Sequence, residues 1–287
     1  MAVRVISAVV GALIFIAVFL GGLIPLKIGA AVISIIGMYE LYTAVSGKLK
    51  PVHFVGFAAE LWYVFVYNTV EYTDLTEGGR HIGYILGANH DMILIAVILL
   101  LVIMVAMHEK TSIHDVAITV FGFLYVGMLM YCLVILYQMN SIFIWIPLVC
   151  AWGSDTFAYF VGVKFGKHKL APVLSPKKSV EGAIGGVVGA GVLMAVYMLA
   201  VQKLGLFDQG LDNRYIWQFA LVGAGAAAFS QVGDIAASTI KRQMGIKDYG
   251  KIMPGHGGIL DRFDSVLFTA PTVYILIQWF INKWWEM

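Results

Sequence analysis

The residue types suited to chemistry gather in one stretch, Gly233 to Ser265, which reads G-D-I-A-A-S-T-I-K-R-Q-M-G-I-K-D-Y-G-K-I-M-P-G-H-G-G-I-L-D-R-F-D-S. It holds four Asp, five Lys or Arg, one His and six Gly between two apolar runs, in a chain with only 13% charged residues. Gln231, Asp234 and Ser238 fall on one helical face, and Lys241 and Arg242 continue it. A carboxylate on a membrane helix costs ~2.5–3.5 kcal/mol on insertion scales, so Asp234 has to face a cavity or a partner. Asp261 and Asp264 stand at i and i+3 around Arg262, on one face of a helix start. Paired carboxylates repel unless a cation lies between them, and Mg²⁺ takes a few carboxylate oxygens, keeps waters and draws its other ligands from phosphates. Capping of the positive helix end is the competing role for these acids.

Between the acids lies Pro254-Gly255-His256-Gly257-Gly258. Its glycines permit positive φ and a close approach of backbone to ligand, and their N–H groups can form an anion-binding nest. Beside Lys241, Arg242, Lys247 and Lys251 the turn reads as a phosphate cradle, although such cations also satisfy the positive-inside rule or meet anionic lipid. A second stretch supports the first. Asp155 lies within an apolar run with Tyr159 a turn later, followed by Lys164, Lys167, His168 and Lys169, then Ser175-Pro176-Lys177-Lys178-Ser179-Val180-Glu181-Gly182. Pro176 stops a helix and Ser179 can cap the next one. A helix N-terminus with Lys177 and Lys178 beside it suits a polyphosphate. A Walker A loop, G-x-x-x-x-G-K-[ST], is absent.

The elements that must hold these residues are membrane helices. The 287 residues are 60% hydrophobic with a mean hydropathy of +0.86, against about 45–50% apolar in a soluble domain. We expect an all-α polytopic transmembrane helix bundle of about nine spans, near residues 5–24, 26–45, 52–70, 92–107, 116–137, 142–165, 181–201, 215–240 and 265–281. Arg4 followed by an apolar run reaching Pro25 without a small-residue cleavage site reads as a retained first span. This topology puts fourteen of the 19 Lys and Arg on the side of the N-terminus, which is therefore cytoplasmic, and leaves the acidic segment Glu71 to Asp91 outside. The chain divides into an N-terminal scaffold, 1–140, and a catalytic region, 141–287, with cytoplasmic loops 164–180 and 241–264. A net charge of +2 excludes a global field for nucleic acid. Cys132 and Cys150 sit in apolar runs and read as packing. Gly182, Gly185, Gly186, Gly189 and Gly191, and the small residues Gly223 to Ala228, read as close helix packing. Glu40 and Glu60 are intramembrane acids, with function or a Lys or Tyr partner as the two readings.

Ser238-x-Ile240-Lys241-Arg242, Lys247-Asp248-x-Gly250 and Pro254-Gly255-His256-Gly257-Gly258-Ile259-Leu260-Asp261-Arg262-Phe263-Asp264-Ser265 together resemble the hallmark of phosphatidate cytidylyltransferases. Asp155-Thr156-x-Ala158-Tyr159, Lys167-His168-Lys169 and Ser175 to Gly182 are similar to the same family, so the close likeness covers roughly Trp152 to Ser265. Ala237 departs from it, standing where many members carry an acid. The resemblance implies that CTP and phosphatidic acid give CDP-diacylglycerol and pyrophosphate, with Mg²⁺, room for a second cation, a bacterial inner-membrane or eukaryotic endomembrane setting, and a homodimer; we expect the bacterial cytoplasmic membrane, with the site on the cytoplasmic side that the Lys and Arg placement marks. It implies Asp234, Asp261 and Asp264 as metal ligands and Lys241, Arg242, Lys247, Asp248, His256 and Arg262 as further catalytic groups. Asp155, Lys167, Lys177, Lys178, Ser179, Ser238, Gly255, Gly257 and Gly258 are implied substrate contacts. Two alternatives stay open. One is a secondary transporter with an ion path through Asp155, Asp234, Glu40 and Glu60. The other is a different CTP-dependent lipid enzyme, such as a polyprenol kinase or a CDP-archaeol synthase.

Overall fold

The structure is a computed structural model and describes residues 11, 13–65, 82–172, 174–206, 215–253, 255 and 257–284. The expected start of the first span, the end of the third, most of the acidic segment, Pro254 and His256 lie outside these residues. Helices dominate: α1 (Leu23–Val45), α2 (His53–Phe65), α3 (Ile82–Ala106), α4 (Ile113–Met139), α5 (Trp145–Phe165), α6 (Val180–Lys203), α7 (Ile216–Gln243) and α8 (Leu260–Trp284). Among the described residues six of them, α1 and α4 to α8, are long and apolar enough to cross a membrane; the apolar part of α3, Ile93–Ala106, is shorter. Six of the nine expected spans are thus present as such helices within the described residues. Of the expected third span, 52–70, the described part is the 13 residues of α2, and the expected fourth, 92–107, falls within the 25 residues of α3. The 164–180 loop is not irregular. It folds into a two-stranded antiparallel hairpin, β1 (Lys169–Ala171) and β2 (Ser175–Ser179), with Lys169 opposite Ser179 and Ala171 opposite Ser175.

The chain forms two compact units that interleave in sequence. The first comprises residues up to Tyr131 together with Asp248–Asp261; the second comprises Cys132–Lys247 and Arg262–Ile281. In the first unit, Gly22 at φ 89° turns the chain into α1, a backbone conformation glycine adopts without a Cβ penalty. A capping box starts α4: Ser112 Oγ accepts the Asp115 N–H, and Asp115 Oδ2 accepts the Ser112 N–H at 2.8 Å. Asp115 also accepts the Lys50 N–H, Thr119 Oγ1 accepts the Val52 N–H, and the Tyr42 hydroxyl donates to the Thr119 carbonyl. These bonds pin the α1–α2 connection to α4. Residues Phe123–Met128 of α4 form a π-helical turn. Gly127 within it makes room for the wholly buried Glu60, whose Oε2 would stand only 2.0 Å from a Cβ at that position.

In the second unit, α5, α6 and α7 pack through glycine. A Cβ at Gly186 would meet the Ser154 carbonyl oxygen at 2.8 Å, one at Gly189 the Phe157 ring at 2.2 Å, and one at Gly223 the Ala190 carbonyl oxygen at 3.0 Å. The small-residue stripes therefore act as the sequence suggests, letting backbones approach closely where the hydrophobic effect supplies no drive between helices. Gln231 adds a polar clasp: its Nε2 donates to Ser154 Oγ on α5 at 3.2 Å and to the Ala183 carbonyl on α6 at 3.0 Å. Cys132 and Cys150 are buried free thiols.

Gly186→Leu should disrupt this packing, because the obstacle is backbone and cannot rotate away. We expect a loss of about 1–3 kcal/mol, read as a lower unfolding temperature in detergent. A melting point equal to that of the unmodified chain would contradict the packing described.

Candidate active site

Charged groups of the second unit meet between the middle of α5, the last third of α7 and the hairpin that leads into α6. Ser179 caps α6, its Oγ accepting the Gly182 N–H at 3.2 Å. At the second residue of the helix, Glu181 accepts the N–H groups of Lys167 and His168, at 3.0 and 3.2 Å, and contacts His168 Nδ1 at 2.6 Å. These bonds fold the hairpin back over the start of α6. Lys178, on β2, consequently reaches α7, where its Nζ stands 2.6 Å from Asp234 Oδ2 with both side chains a little under a third exposed. Asp155 on α5 lies within electrostatic range of both Lys178 and Asp234. Two carboxylates and one ammonium thus come from three separate elements. The partner that Asp234 requires is thus Lys178.

The other acids of the second unit are close by along the helices. Gly233 meets α8 so closely that a Cβ there would lie 2.8 Å from the Asp264 carbonyl oxygen. Asp264 is buried and its Oδ1 accepts the Ser265 N–H at 2.7 Å. At the far end of α7, Gly245 at φ 72° lets the Ile246 N–H return to the Lys241 carbonyl, which closes the helix, and Arg242 donates to the Ile246 carbonyl at 3.1 Å.

In the first unit, the signature loop is folded around two carboxylates. Asp261 Oδ2 accepts the Tyr249 N–H at 2.8 Å and the Gly258 N–H at 3.0 Å. Glu40, on α1 and only 3% exposed, accepts the Ile259 N–H at 3.0 Å and the Leu260 N–H at 2.8 Å, across 219 and 220 residues of chain. Gly250 and Gly258 stand against the same carboxylate, where a Cβ would come within 2.2 and 2.5 Å of its oxygens. Gly255 and Gly257 take φ of 76° and 89°, and Met253 donates to the Gly257 carbonyl. Of the N–H groups expected to form an anion nest, that of Gly258 is bound by the chain's own Asp261. The N–H groups of Gly258, Ile259 and Leu260 bind the chain's own Asp261 and Glu40. Glu40's partner is backbone, neither Lys nor Tyr, and sequence reasoning gave it no role in the loop. The only local signal was the cost of an acid in an apolar run.

Of the other residues singled out, Lys167, Lys177, Lys247, Asp248 and Arg262 are exposed, and Lys241 and Ser238 are half-buried. Among the described residues no three His, Cys, Asp or Glu side chains gather as a metal cluster. Mg²⁺ does not need three, since substrate phosphates and water complete its shell. The donors present fit it: they are hard carboxylate oxygens, and Asp234 already holds a cation, the Lys178 ammonium, at contact distance.

The sequence model of the group described as "Cytidylyltransferase family" matches residues 2–280. A phosphatidate cytidylyltransferase of Bacillus subtilis strain 168 is 32% identical over 280 residues, covering 96% of this chain and 97% of the relative. One from Staphylococcus haemolyticus is 31% identical over 281 residues, covering 96% and 99%. One from Thermotoga maritima is 44% identical over 131 residues, covering 46% and 47%.

Removing Glu40 leaves two N–H groups at the start of α8 without their acceptor. Glu40→Ala should cost about 1–3 kcal/mol and speed amide exchange at Ile259 and Leu260. Glu40→Gln should also destabilise, because its amide turns a donor toward one of the two N–H groups. Unaltered exchange in both variants would show that the cap is not formed. By contrast, Lys178→Met should change stability by less than about 1 kcal/mol, the scale of a solvent-reached ion pair.

Proposed function

Because the chain belongs to the cytidylyltransferase family, and is on that ground a nucleotidyltransferase, we propose that it transfers the cytidylyl group of CTP to phosphatidic acid, giving CDP-diacylglycerol and pyrophosphate. The observation that carries this reading is the likeness to two phosphatidate cytidylyltransferases along 96% of the chain. The gathering of Asp155, Lys178 and Asp234 supports it, since two polyanions require cations held in place.

The phosphate of phosphatidic acid is itself the nucleophile, so no serine or cysteine is needed. Its oxygen forms a bond to the α-phosphorus of CTP while the bond from that phosphorus to the β-phosphate bridging oxygen breaks, and pyrophosphate leaves with the electron pair. The protein's task is to align the two phosphates and offset their repulsion. Lys178 is already drawn toward the site by Asp234 and turns to a phosphate when one arrives. Lys177, Lys167 and Ser179 join it at the hairpin on the triphosphate tail, and Lys241, Arg242, Lys247 and Arg262 bind phosphate oxygens. Asp234, Asp261 and Asp264 are the carboxylates that would hold Mg²⁺, with Asp155 able to serve a second cation. When bound, the divalent ion supplies charge neutralisation at the α-phosphate and the departing pyrophosphate. Asp248 and His256 belong to the same catalytic set, and Ser238, Gly255, Gly257 and Gly258 to the substrate-binding set. Glu40 and Asp261 hold the loop that carries these residues. We place the site on the cytoplasmic leaflet of a bacterial membrane, where CTP arrives from solvent and phosphatidic acid from the bilayer. The proposal allows a homodimer.

Purified Asp234→Asn and Asp261→Asn should each lower CTP incorporation into lipid by about a hundredfold or more, and chelation should silence the unmodified chain until Mg²⁺ is restored. Near-normal turnover in both variants would reject the metal assignment. The assay in detergent micelles also separates an enzyme from a transporter, which needs a sealed vesicle.

A further inference from the structure

Between α6 and α7 the second unit has a groove of about 320 Å³. Its walls are Ile184 and Val188 on α6, Ala228, Val232 and Ile235 on α7, and Leu170 on β1. Ala183 and Ala228 leave the room, since a larger residue at either position would fill it. Ile184, Val188 and Val232 are each more than half exposed, so the groove opens outward through an apolar rim. Along α7 it runs from Ala228 to Ile235, a length of ~10 Å at the helical rise of 1.5 Å per residue. The one polar residue in the lining, Gln231, turns its amide N–H₂ to Ser154 and Ala183.

One end of this groove meets the charged site. Ile235 follows Asp234 directly in sequence, and Leu170 lies in the hairpin that delivers Lys178 to Asp234. An outward-opening apolar groove whose lining includes the sequence neighbour of Asp234 and a residue of the hairpin that carries Lys178 fits one kind of molecule: an amphiphile with an anionic head and a linear hydrocarbon tail. We propose that the groove holds an acyl chain of the lipid substrate and that Ala228, with Val187 and Val188 opposite, sets which chains fit. This proposal rests on the reading of phosphatidic acid as substrate. The acyl chain extends along α7 while its phosphate reaches Lys178, so the groove fixes the depth at which the headgroup meets the nucleotide. An apolar channel discriminates by methylene contacts, each worth roughly tenfold or somewhat more in kcat/KM.

The test uses the purified full-length chain in mixed micelles with phosphatidic acids of long (dioleoyl) and short (dioctanoyl) acyl chains. Ala228→Phe fills the groove from an exposed position, and the ratio of long-chain to short-chain kcat/KM should fall about tenfold relative to the unmodified chain. Val187→Ala widens the groove and should shift the ratio the other way. Ile275→Phe, on an exposed face of α8 outside the groove, should leave it unchanged. An unchanged ratio in both groove variants overturns the proposal. Binding is read separately from turnover with a diazirine-bearing acyl chain on phosphatidic acid or on phosphatidylcholine. Labelling of the 184–188 and 228–235 segments by the phosphatidic acid alone supports the groove. Equal labelling by both lipids shows bulk lipid there and overturns it. A chain that labels selectively yet makes no liponucleotide would leave the groove standing and reject the cytidylyl-transfer reading.

Discussion

Hydrocarbon offers no hydrogen bonds, so each polar group carried into an apolar helix has to be met by another part of the same chain. That constraint shapes nearly every feature described above. Glu40 is met by the first N–H groups of α8, Asp115 by the Lys50 and Ser112 N–H groups, Asp234 by Lys178, and Gln231 by Ser154 and Ala183. Each pairing joins segments distant in sequence or fixes a helix end. Glu40, Asp115, Asp234 and Gln231, costly in hydropathy terms, therefore act as tertiary ties.

The same constraint separates two kinds of charge. Glu40 is buried against backbone N–H groups and two glycines that admit nothing larger. It gives the signature loop one shape, and a group so enclosed serves to position others. The Lys178–Asp234 pair is reached by solvent and contributes little to stability. In the proposed reaction it keeps a cation and a carboxylate near each other, to exchange partners with an incoming phosphate or metal. Rigid burial around the loop and solvent access at the pair are what phosphoryl-type transfer asks for, where alignment and fixed charge supply most of the rate.

Much of this was legible in the residues themselves, and the parts that were not share a cause. Ser179 as a helix cap and the glycine stripes of α6 and α7 as packing faces depend on neighbours a few positions away, and local chemistry suffices to find them. The long Gly233–Ser265 motif pointed to the family that the whole-length comparisons show. The Glu40 cap was not legible, because its acceptor and donors are 219 residues apart and no short-range pattern marks the pairing. Nor was the β1–β2 hairpin, whose residues, Lys and Pro among them, are poor strand formers held in place by Glu181.

Lipid solubility and nucleotide chemistry meet in this account at one group of charges beside an apolar groove. The measurement that bears on it most directly is the stoichiometry of the reaction by the purified, unmodified chain given CTP labelled in its cytosine, phosphatidic acid and Mg²⁺ in micelles. Equal amounts of lipid-linked cytidylate and free pyrophosphate, formed without a labelled protein intermediate, are what direct attack by the lipid phosphate predicts. A folded chain that releases no pyrophosphate, or that carries the cytidylyl label on the protein, would contradict it.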